Sequence, residues 1–376
     1  MPDSLTERQA FMIMNDLPNI GPISLNRLLQ EISADPREIL QTPKRRLEDV
    51  RGIGPETSDA LVNWRTHFDL AREEERLSKA GAVFITERDE GYPRLLKEIS
   101  DPPIGLYRKG GYLFEQPCVA IVGSRRTTLY GQATAKKLAG ELVRLGFCVV
   151  SGLARGIDTA AHEGALAAGG KTAAVLGCGL DIVYPPENLD LYRRIAETGA
   201  VLSEFPFGRK ADKQTFPMRN RVVAGMSEAI VVVESDVSGG AMITARFAGE
   251  QGRLIFAVPG RIDQPTSAGC HQLIRDGATL LTSVDDILNE LSYLDGLRPQ
   301  AVTTPGQASV LEQLLPQLSE GERRVFDCFR GGSVLVVDAL VAATGLPAPQ
   351  VSAALMMLEL KKLATKRVDG SFEARS

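Results

Sequence analysis

Seven short apolar runs, spaced through the middle of this 376-residue chain, limit its fold more than any other feature: Val119–Val122, Cys148–Val150, Thr172–Leu176, Ala200–Leu202, Ile230–Val233, Leu254–Val258 and Thr279–Leu281. Apolarity that is continuous rather than alternating marks strands buried on both faces. Gly, Ser or Pro bounds most of the runs, and helix-length intervals separate most of them. Strands joined through helices make right-handed crossovers and a parallel sheet. The expected class is α/β. In such sheets ligands bind beyond the carboxyl ends of the strands, so function is expected in the loops that follow the runs.

The flanks are patterned differently. Residues 1–80 are helical in period with repeated Gly turns, and residues 81–295 hold the seven runs. Gly296–Gln307 carries two prolines and two threonines and breaks both patterns, and residues 308–376 are helical again before a polar, hairpin-like end. An all-helical domain, an α/β domain, a linker and a small C-terminal domain are therefore expected. Apolar residues make up 44% and charged residues 24%, enough for a real core. No run approaches a membrane span, and Met1–Ala10 is polar and charged rather than a basic-then-apolar leader, so a cytoplasmic chain without membrane insertion is expected. Cys118, Cys148, Cys178, Cys270 and Cys328 show no CxxC pairing and read as small buried hydrophobes in a reducing compartment. His67, His162 and His271 lack metal-ligand spacing, and no metal or cofactor is expected. Net charge is −4, so nucleic-acid binding requires a local basic patch.

Three strand-end loops supply candidates. Gly123-Ser124-Arg125-Arg126 follows the first run and precedes a helix starting near Tyr130. Glycine permits close approach of a ligand, the helix start offers free N–H groups, and arginines fork onto phosphate oxygens. Ser151-Gly152-Leu153-Ala154-Arg155-Gly156-Ile157-Asp158 repeats the pattern with its own arginine, and Ser238-Gly239-Gly240-Ala241-Met242-Ile243-Thr244 is a third small-residue turn. One such turn often serves packing alone; three in one sheet favour phosphate binding. Gly177-Cys178-Gly179 lacks the third glycine of a dinucleotide fingerprint, and no Walker pattern occurs, so neither a dinucleotide site nor an ATPase is inferred. Phe205–Arg221 is the most informative stretch. It sets Arg209, Lys210, Lys213, Arg219 and Arg221 against Asp212 alone, with Phe205, Phe207 and Phe216 interleaved. Cations that track a backbone beside aromatic faces for bases suit single-stranded nucleic acid. Phe205 and Phe207 read equally well as core plugs; Phe216, between Lys213 and Arg219, reads better as functional.

Val119-Ala-Ile-Val-Gly-Ser-Arg125, Tyr130-Gly131, Val150-Ser-Gly-Leu-Ala-Arg-Gly-Ile-Asp158 and Ala161-His162 resemble the DprA (Smf) family. So do Tyr184-Pro185, Ser203-Glu204, Phe216-Pro-Met-Arg-Asn-Arg221, Ser238-Gly-Gly-Ala-Met-Ile-Thr244 and Val258-Pro-Gly260, in the family's order. The resemblance implies an extended Rossmann-like domain that binds single-stranded DNA and forms homodimers. It also implies a recombination mediator, with no catalysis of its own, that helps load RecA on DNA coated by single-strand-binding protein. Natural transformation (competence) and general DNA repair stay equally open as its setting. By position it points to Ser124, Arg125, Lys213, Phe216, Arg219 and Arg221. With the loops above, the expected DNA-binding set is Gly123, Ser124, Arg125, Arg126, Ser151, Gly152, Arg155, Lys213, Phe216, Arg219, Asn220, Arg221, Ser238, Gly239 and Gly240. Thr215 and Met218 depart from the family pattern without removing a cation or the aromatic. The closing helix and strand of the sheet, Gly269–Leu281, would sit at an open edge that a second copy can cover.

At the N-terminus, Leu17–Leu29 and Val50–Leu61 look like helix-hairpin-helix or SAM-like units, with Lys44, Arg45, Arg46 and Arg51 before the second turn. The segment as a whole has more acids than bases, so protein packing competes with DNA contact there. At the C-terminus three helices, Ser319–Phe329, Ser333–Thr344 and Ala348–Lys361, and a hairpin around Asp369-Gly370 resemble a winged helix. Its third helix is mostly apolar and poor in cations, which suits packing better than groove reading. The alternative function is a nucleotide hydrolase of the phosphoribohydrolase kind using the same loops. That class carries Pro-Gly-Gly-x-Gly-Thr-x-x-Glu; aligned on Gly239-Gly240, it puts Met242 at the third glycine and Arg246 at the catalytic acid. Asp158 and His162, four apart on one helix face, would be its acid–base pair; otherwise they cap that helix and hold the neighbouring loop. A sequence-specific duplex regulator would rest on the winged helix alone.

Overall fold

A computed structural model describes residues 5–294, 318–329, 335–361, 363–366 and 371–374. The expected linker Gly296–Gln307 and the turn at Asp369-Gly370 lie outside the described residues. Two compact units are present, dividing at residue 300.

The first unit opens with seven helices: α1 (Glu7–Asp16), α2 (Pro22–Glu31), α3 (Pro36–Ile39), α4 (Lys44–Glu48), α5 (Pro55–Val62), α6 (Trp64–His67) and α7 (Leu70–Ala80). A capping box starts α1: Gln9 N–H donates to Thr6 Oγ1 at 3.2 Å while Thr6 N–H donates to Gln9 Oε1 at 2.7 Å. Proline stands in the first turn of α2 and α5, where its missing N–H costs nothing.

The sheet follows: β1 (Ala82–Ile85), β2 (Leu106–Lys109), β3 (Cys118–Val122), α8 (Leu129–Arg144), β4 (Cys148–Ser151), α9 (Ile157–Ala167), β5 (Thr172–Leu176), α10 (Leu189–Thr198), β6 (Ala200–Ser203), α11 (Thr215–Gly225), β7 (Ala229–Val232), α12 (Gly240–Glu250), β8 (Leu254–Ala257), α13 (Ala268–Arg275), β9 (Thr279–Leu280) and α14 (Val284–Glu290). Its order is β1-β2-β6-β5-β4-β3-β7-β8-β9. All seven apolar runs are strands, and they pair in parallel. Two further strands, β1 and β2, are antiparallel additions beside β6, so the sheet is mixed at that edge.

Alternate residues of the central strands bury on opposite faces, as the two-residue strand period requires. Val119 and Ile121 pack with α8, α9 and α14, while Ala120 and Val122 pack with α11, α12 and α13. At the β2–β6–β5 side the sheet shares one cluster with the N-terminal helices, in which Phe11, Ile13 and Leu77 join Phe84, Tyr107, Leu176 and Val201. Among the described residues no single helix is long and apolar enough to cross a membrane.

The second unit holds α15 (Glu320–Asp327), α16 (Val337–Thr344), α17 (Ala348–Leu360) and the antiparallel pair β10 (Ala364–Lys366) and β11 (Phe372–Ala374). Val325, Leu340, Val351, Leu355, Leu358 and Phe372 form its core. The arrangement is the winged helix that the sequence pattern suggested; Val351, Ala354, Leu355 and Leu358 of α17 pack in that core, while Met356, Met357 and Leu360 of the same helix are exposed.

Candidate nucleic-acid interface

Where β3 and β7 end beside each other, the chain leaves a cleft of about 610 Å³. The loop after β3, the start of α12 and the first turns of α11 line it, through Gly123–Arg126, Gly239–Ala241, Phe216, Pro217, Arg219 and Asn220, with Asp158 behind. These are carboxyl ends of parallel strands, the position the topology assigns to a ligand.

The first loop is held from beneath. Ser124 N–H donates to Glu234 O at 2.6 Å, and Arg126 N–H donates to Ser124 Oγ at 3.0 Å. A side chain on Gly123 would collide with Ile157 and the Glu234 carbonyl, and one on Gly156, whose φ is +79°, would strike Ser124 O. Only glycine fits either place. Glu234, buried, accepts from Thr127 Oγ1 and Thr128 Oγ1 at 2.6 Å each and from Thr128 N–H at 2.9 Å, which fixes the entry to α8. Sequence reading missed Glu234: its partners are hydroxyls distant in the chain, and no motif announces them.

Arg125 and Arg126 are exposed. The Arg125 guanidinium lies 4.8 Å from the centroid of Phe216, and the Phe216 ring is 5.8 Å from that of Tyr184. Phe216 is half-buried in the cleft wall, unlike Phe205 and Phe207, which are core residues. Tyr184 is a second aromatic beside the cleft that the sequence reading left unassigned. On the other side α12 starts after Gly239 with no side-chain cap, and Gly239, Gly240 and Ala241 line the cleft, a helix start of the kind that can hold an anion. Asn220 Nδ2 donates to Gly240 O at 3.3 Å and ties α11 to that turn.

Arg219 forms the floor. It is 6% exposed, faces Asp158 with Nη1 3.8 Å from Oδ2, and leaves its Nε–H without a protein partner. A Cβ on Gly152 would overlap the guanidinium. Asp158 also accepts from Gly152 N–H at 3.1 Å and Ala154 N–H at 3.3 Å. Burial pushes the Asp158 carboxyl up, with Arg219 and the two N–H groups pulling the other way, and burial lowers Arg219. His162 does not meet Asp158 in the cleft. It is fully buried, its Nδ1 lies 2.7 Å from Thr172 Oγ1, and burial lowers its pKa to about 3. Asp158 therefore holds the loop after β4, and the acid–base pairing with His162 has no geometric basis. Arg246, at the position of the hydrolase acid, is exposed and pairs with Glu250 at 3.6 Å.

The other expected residues separate from this group. Ser151 is buried and donates to Ile121 O at 2.7 Å, so it braces β4 against β3 rather than facing a ligand. Arg221 is a correction as well: it is 5% exposed, bonds Glu204, and donates to Asp101 O at 2.7 Å. Its charge is spent inside the fold. Arg155 is exposed but paired with Glu187, and Ser238 is exposed and turned to Asp236 Oδ1 at 2.9 Å. Lys213 is exposed outside the cleft wall, just before α11.

Comparison with known proteins identifies the family. The family of DNA recombination-mediator protein A matches residues 83–292, and the DprA winged helix domain matches residues 299–370. Protein Smf of Synechocystis sp. is 34% identical over 98% of this chain and 99% of its own length. The DNA processing protein DprA of Streptococcus pneumoniae is 45% identical over 54% of this chain and 73% of its own. A crystal structure of that protein superposes with a TM-score of 0.66 at 35% identity, covering 77% of this chain and 99% of the other. A structure of DNA processing protein A from Helicobacter pylori, described for its single-stranded-DNA binding mode, gives a TM-score of 0.51 at 32% identity over 56% of this chain and 96% of the other. With one family covering the α/β region, its winged helix domain following, and a relative matched end to end, the chain belongs to the DprA family of DNA recombination mediators.

Proposed function

We propose that the cleft binds single-stranded DNA without strong sequence preference and performs no chemistry on it. The observation that carries this reading is the meeting of Arg125, Phe216 and the uncapped start of α12 in one cleft. A cation, an aromatic face and free N–H groups suit phosphate and base together. The DNA-binding set is Gly123, Ser124, Arg125, Arg126, Phe216, Arg219, Asn220, Gly239 and Gly240 at the cleft, with Gly152 beneath and Lys213, Arg155 and Ser238 near its approaches. The Helicobacter relative, named for single-stranded-DNA binding, supports the same ligand. The chain acts as a homodimer, covering the β9 edge, and helps load RecA on DNA coated by single-strand-binding protein during transformation or repair. Family membership supports these partners.

The test is titration of single- and double-stranded oligonucleotides across a salt series, beside a nucleotide-hydrolysis assay. Phe216→Ala loses about 1–3 kcal/mol of affinity with the parent's salt slope, because stacking releases no counterions. Lys213→Ala flattens the slope by about one ion. Tighter binding to duplex, or nucleotide turnover, overturns the proposal.

A further inference from the structure

The basic loop between β6 and α11 is held by the N-terminal helices. Phe207 N–H donates to Glu73 Oε1 at 3.1 Å, and Arg76 Nη1 donates to Phe207 O at 3.1 Å. One peptide segment is thus gripped at both its donor and its acceptor by side chains one turn apart on α7, themselves paired at 3.3 Å. Glu73 is 3% exposed, an uncommon place for a carboxylate unless it is fully bonded. From α1, Asn15 Nδ2 adds a bond to Glu204 O at 2.9 Å. Next in the chain, Gly208 N–H donates to Asp181 Oδ1 at 2.9 Å, and Arg209 O accepts from Gly179 N–H at 2.9 Å. Arg209, Lys210 and Lys213 then run exposed to the start of α11, where Asp212 Oδ1 accepts from Gln214 and Thr215 N–H at 2.8 and 2.9 Å.

We infer that Glu73 and Arg76 are positioning residues for DNA: they fix the Phe207 peptide and so hold the Arg209–Lys213 cations beside the cleft. The inference rests on the proposed DNA site. It gives the N-terminal helices a part in binding without their touching the ligand. Loosened at Phe207, the loop keeps its cations but must be ordered when DNA arrives, and ordering opposes binding.

The experiment uses the full chain. Arg76→Ala, Glu73→Gln and Arg76→Lys are compared with the parent and with Lys213→Ala for binding of a single-stranded oligonucleotide over a salt series, well below each melting temperature. Trypsin digestion follows cleavage after Arg209, Lys210 and Lys213. Arg76→Ala is expected to weaken binding by about threefold to tenfold with an unchanged salt slope, and to speed cleavage in this loop before any other site. Arg76→Lys, which retains one donor for Phe207 O, is expected to recover part of the affinity, and Glu73→Gln, which retains an acceptor for Phe207 N–H, to lose less than Arg76→Ala. If Lys213→Ala weakens binding while Arg76→Ala and Glu73→Gln bind and digest like the parent, the clamp is refuted and the DNA site stands. A lowered melting temperature in the clamp variants with affinity intact refutes it equally, because the two side chains then only join α7 to the sheet. If Lys213→Ala also binds like the parent, both the clamp and the loop's place in the DNA site fall.

Discussion

Asp158→Asn isolates the charge beneath the cleft. The variant keeps an oxygen for the Gly152 or Ala154 N–H and changes shape little, but it removes the carboxylate facing Arg219. Asp158 and Arg219 have side-chain exposures of 8% and 6%, so water cannot replace the lost partner. Removing one member of a buried pair costs about 3–5 kcal/mol, because the other charge stays buried and uncompensated. The 3.8 Å separation is looser than a hydrogen-bonded pair, which places the cost at the lower end, about 3 kcal/mol. The assay is denaturant unfolding by circular dichroism for Asp158→Asn, Arg219→Met and the double variant. The double variant is expected to be more stable than the sum of the single losses by about 1–3 kcal/mol. Because Arg219 also faces the cleft, added phosphate is expected to raise the melting temperature of Asp158→Asn more than that of the parent, an anion taking the carboxylate's place. Additive single losses, or a drop below about 0.5 kcal/mol for Asp158→Asn, would refute the assignment of this pair as the floor of the site.

Three other outcomes follow from the same geometry. His162 stays unprotonated in the folded chain to about pH 3, whereas an unfolded histidine takes its proton near 6.5, so its contribution is complete above about 6.5 and is lost as pH falls toward 3. In acid titrations of stability the parent should lose about 1.4 kcal/mol per pH unit more than His162→Gln in that window; parallel curves contradict this. Glu234→Gln would set an amide N–H₂ against a hydroxyl or N–H donor of Thr127 or Thr128, and is expected to cost about 1–3 kcal/mol by thermal unfolding, while an unchanged melting temperature would mean the hydroxyls find other partners. Leu280 is 46% exposed on edge strand β9, and Leu280→Lys should shift the proposed dimer to monomer in sedimentation at micromolar concentration; a dimer that persists places the interface elsewhere.

The central sheet is legible in the sequence because burial on both faces writes each strand as an unbroken apolar run. β2, Leu-Tyr-Arg-Lys, is not: two of its four residues are cations, and its pairing of Lys109 with Val201 depends on a strand far along the chain. The helical pattern of residues 1–80 sets that segment apart in sequence, yet its apolar faces close on Phe84, Tyr107 and Val201 rather than on themselves alone. In the site, loop glycines and Arg125 were readable because close backbone approach and strand-end cations have local signatures. Arg219 and Arg221 look alike in the sequence, two residues apart. Only the fold shows that one turns to Asp158 at the cleft and the other to Glu204 and Asp101 in the interior. The Glu73–Arg76 grip was invisible for the same reason: an acid and a base one turn apart on a helix read as an ordinary surface pair.

The shared cluster between the N-terminal helices and the β2–β6–β5 side of the sheet decides how this protein can be cut for biochemistry. A fragment trimmed to start at β1 would expose the rings of Phe84 and Tyr107 with Leu176 and Val201, an oily patch that invites precipitation and masks binding with stickiness. Keeping residues 1–294 together preserves that seam, because the chain divides into its two compact units only beyond it. Fragment design should therefore follow packing rather than sequence pattern.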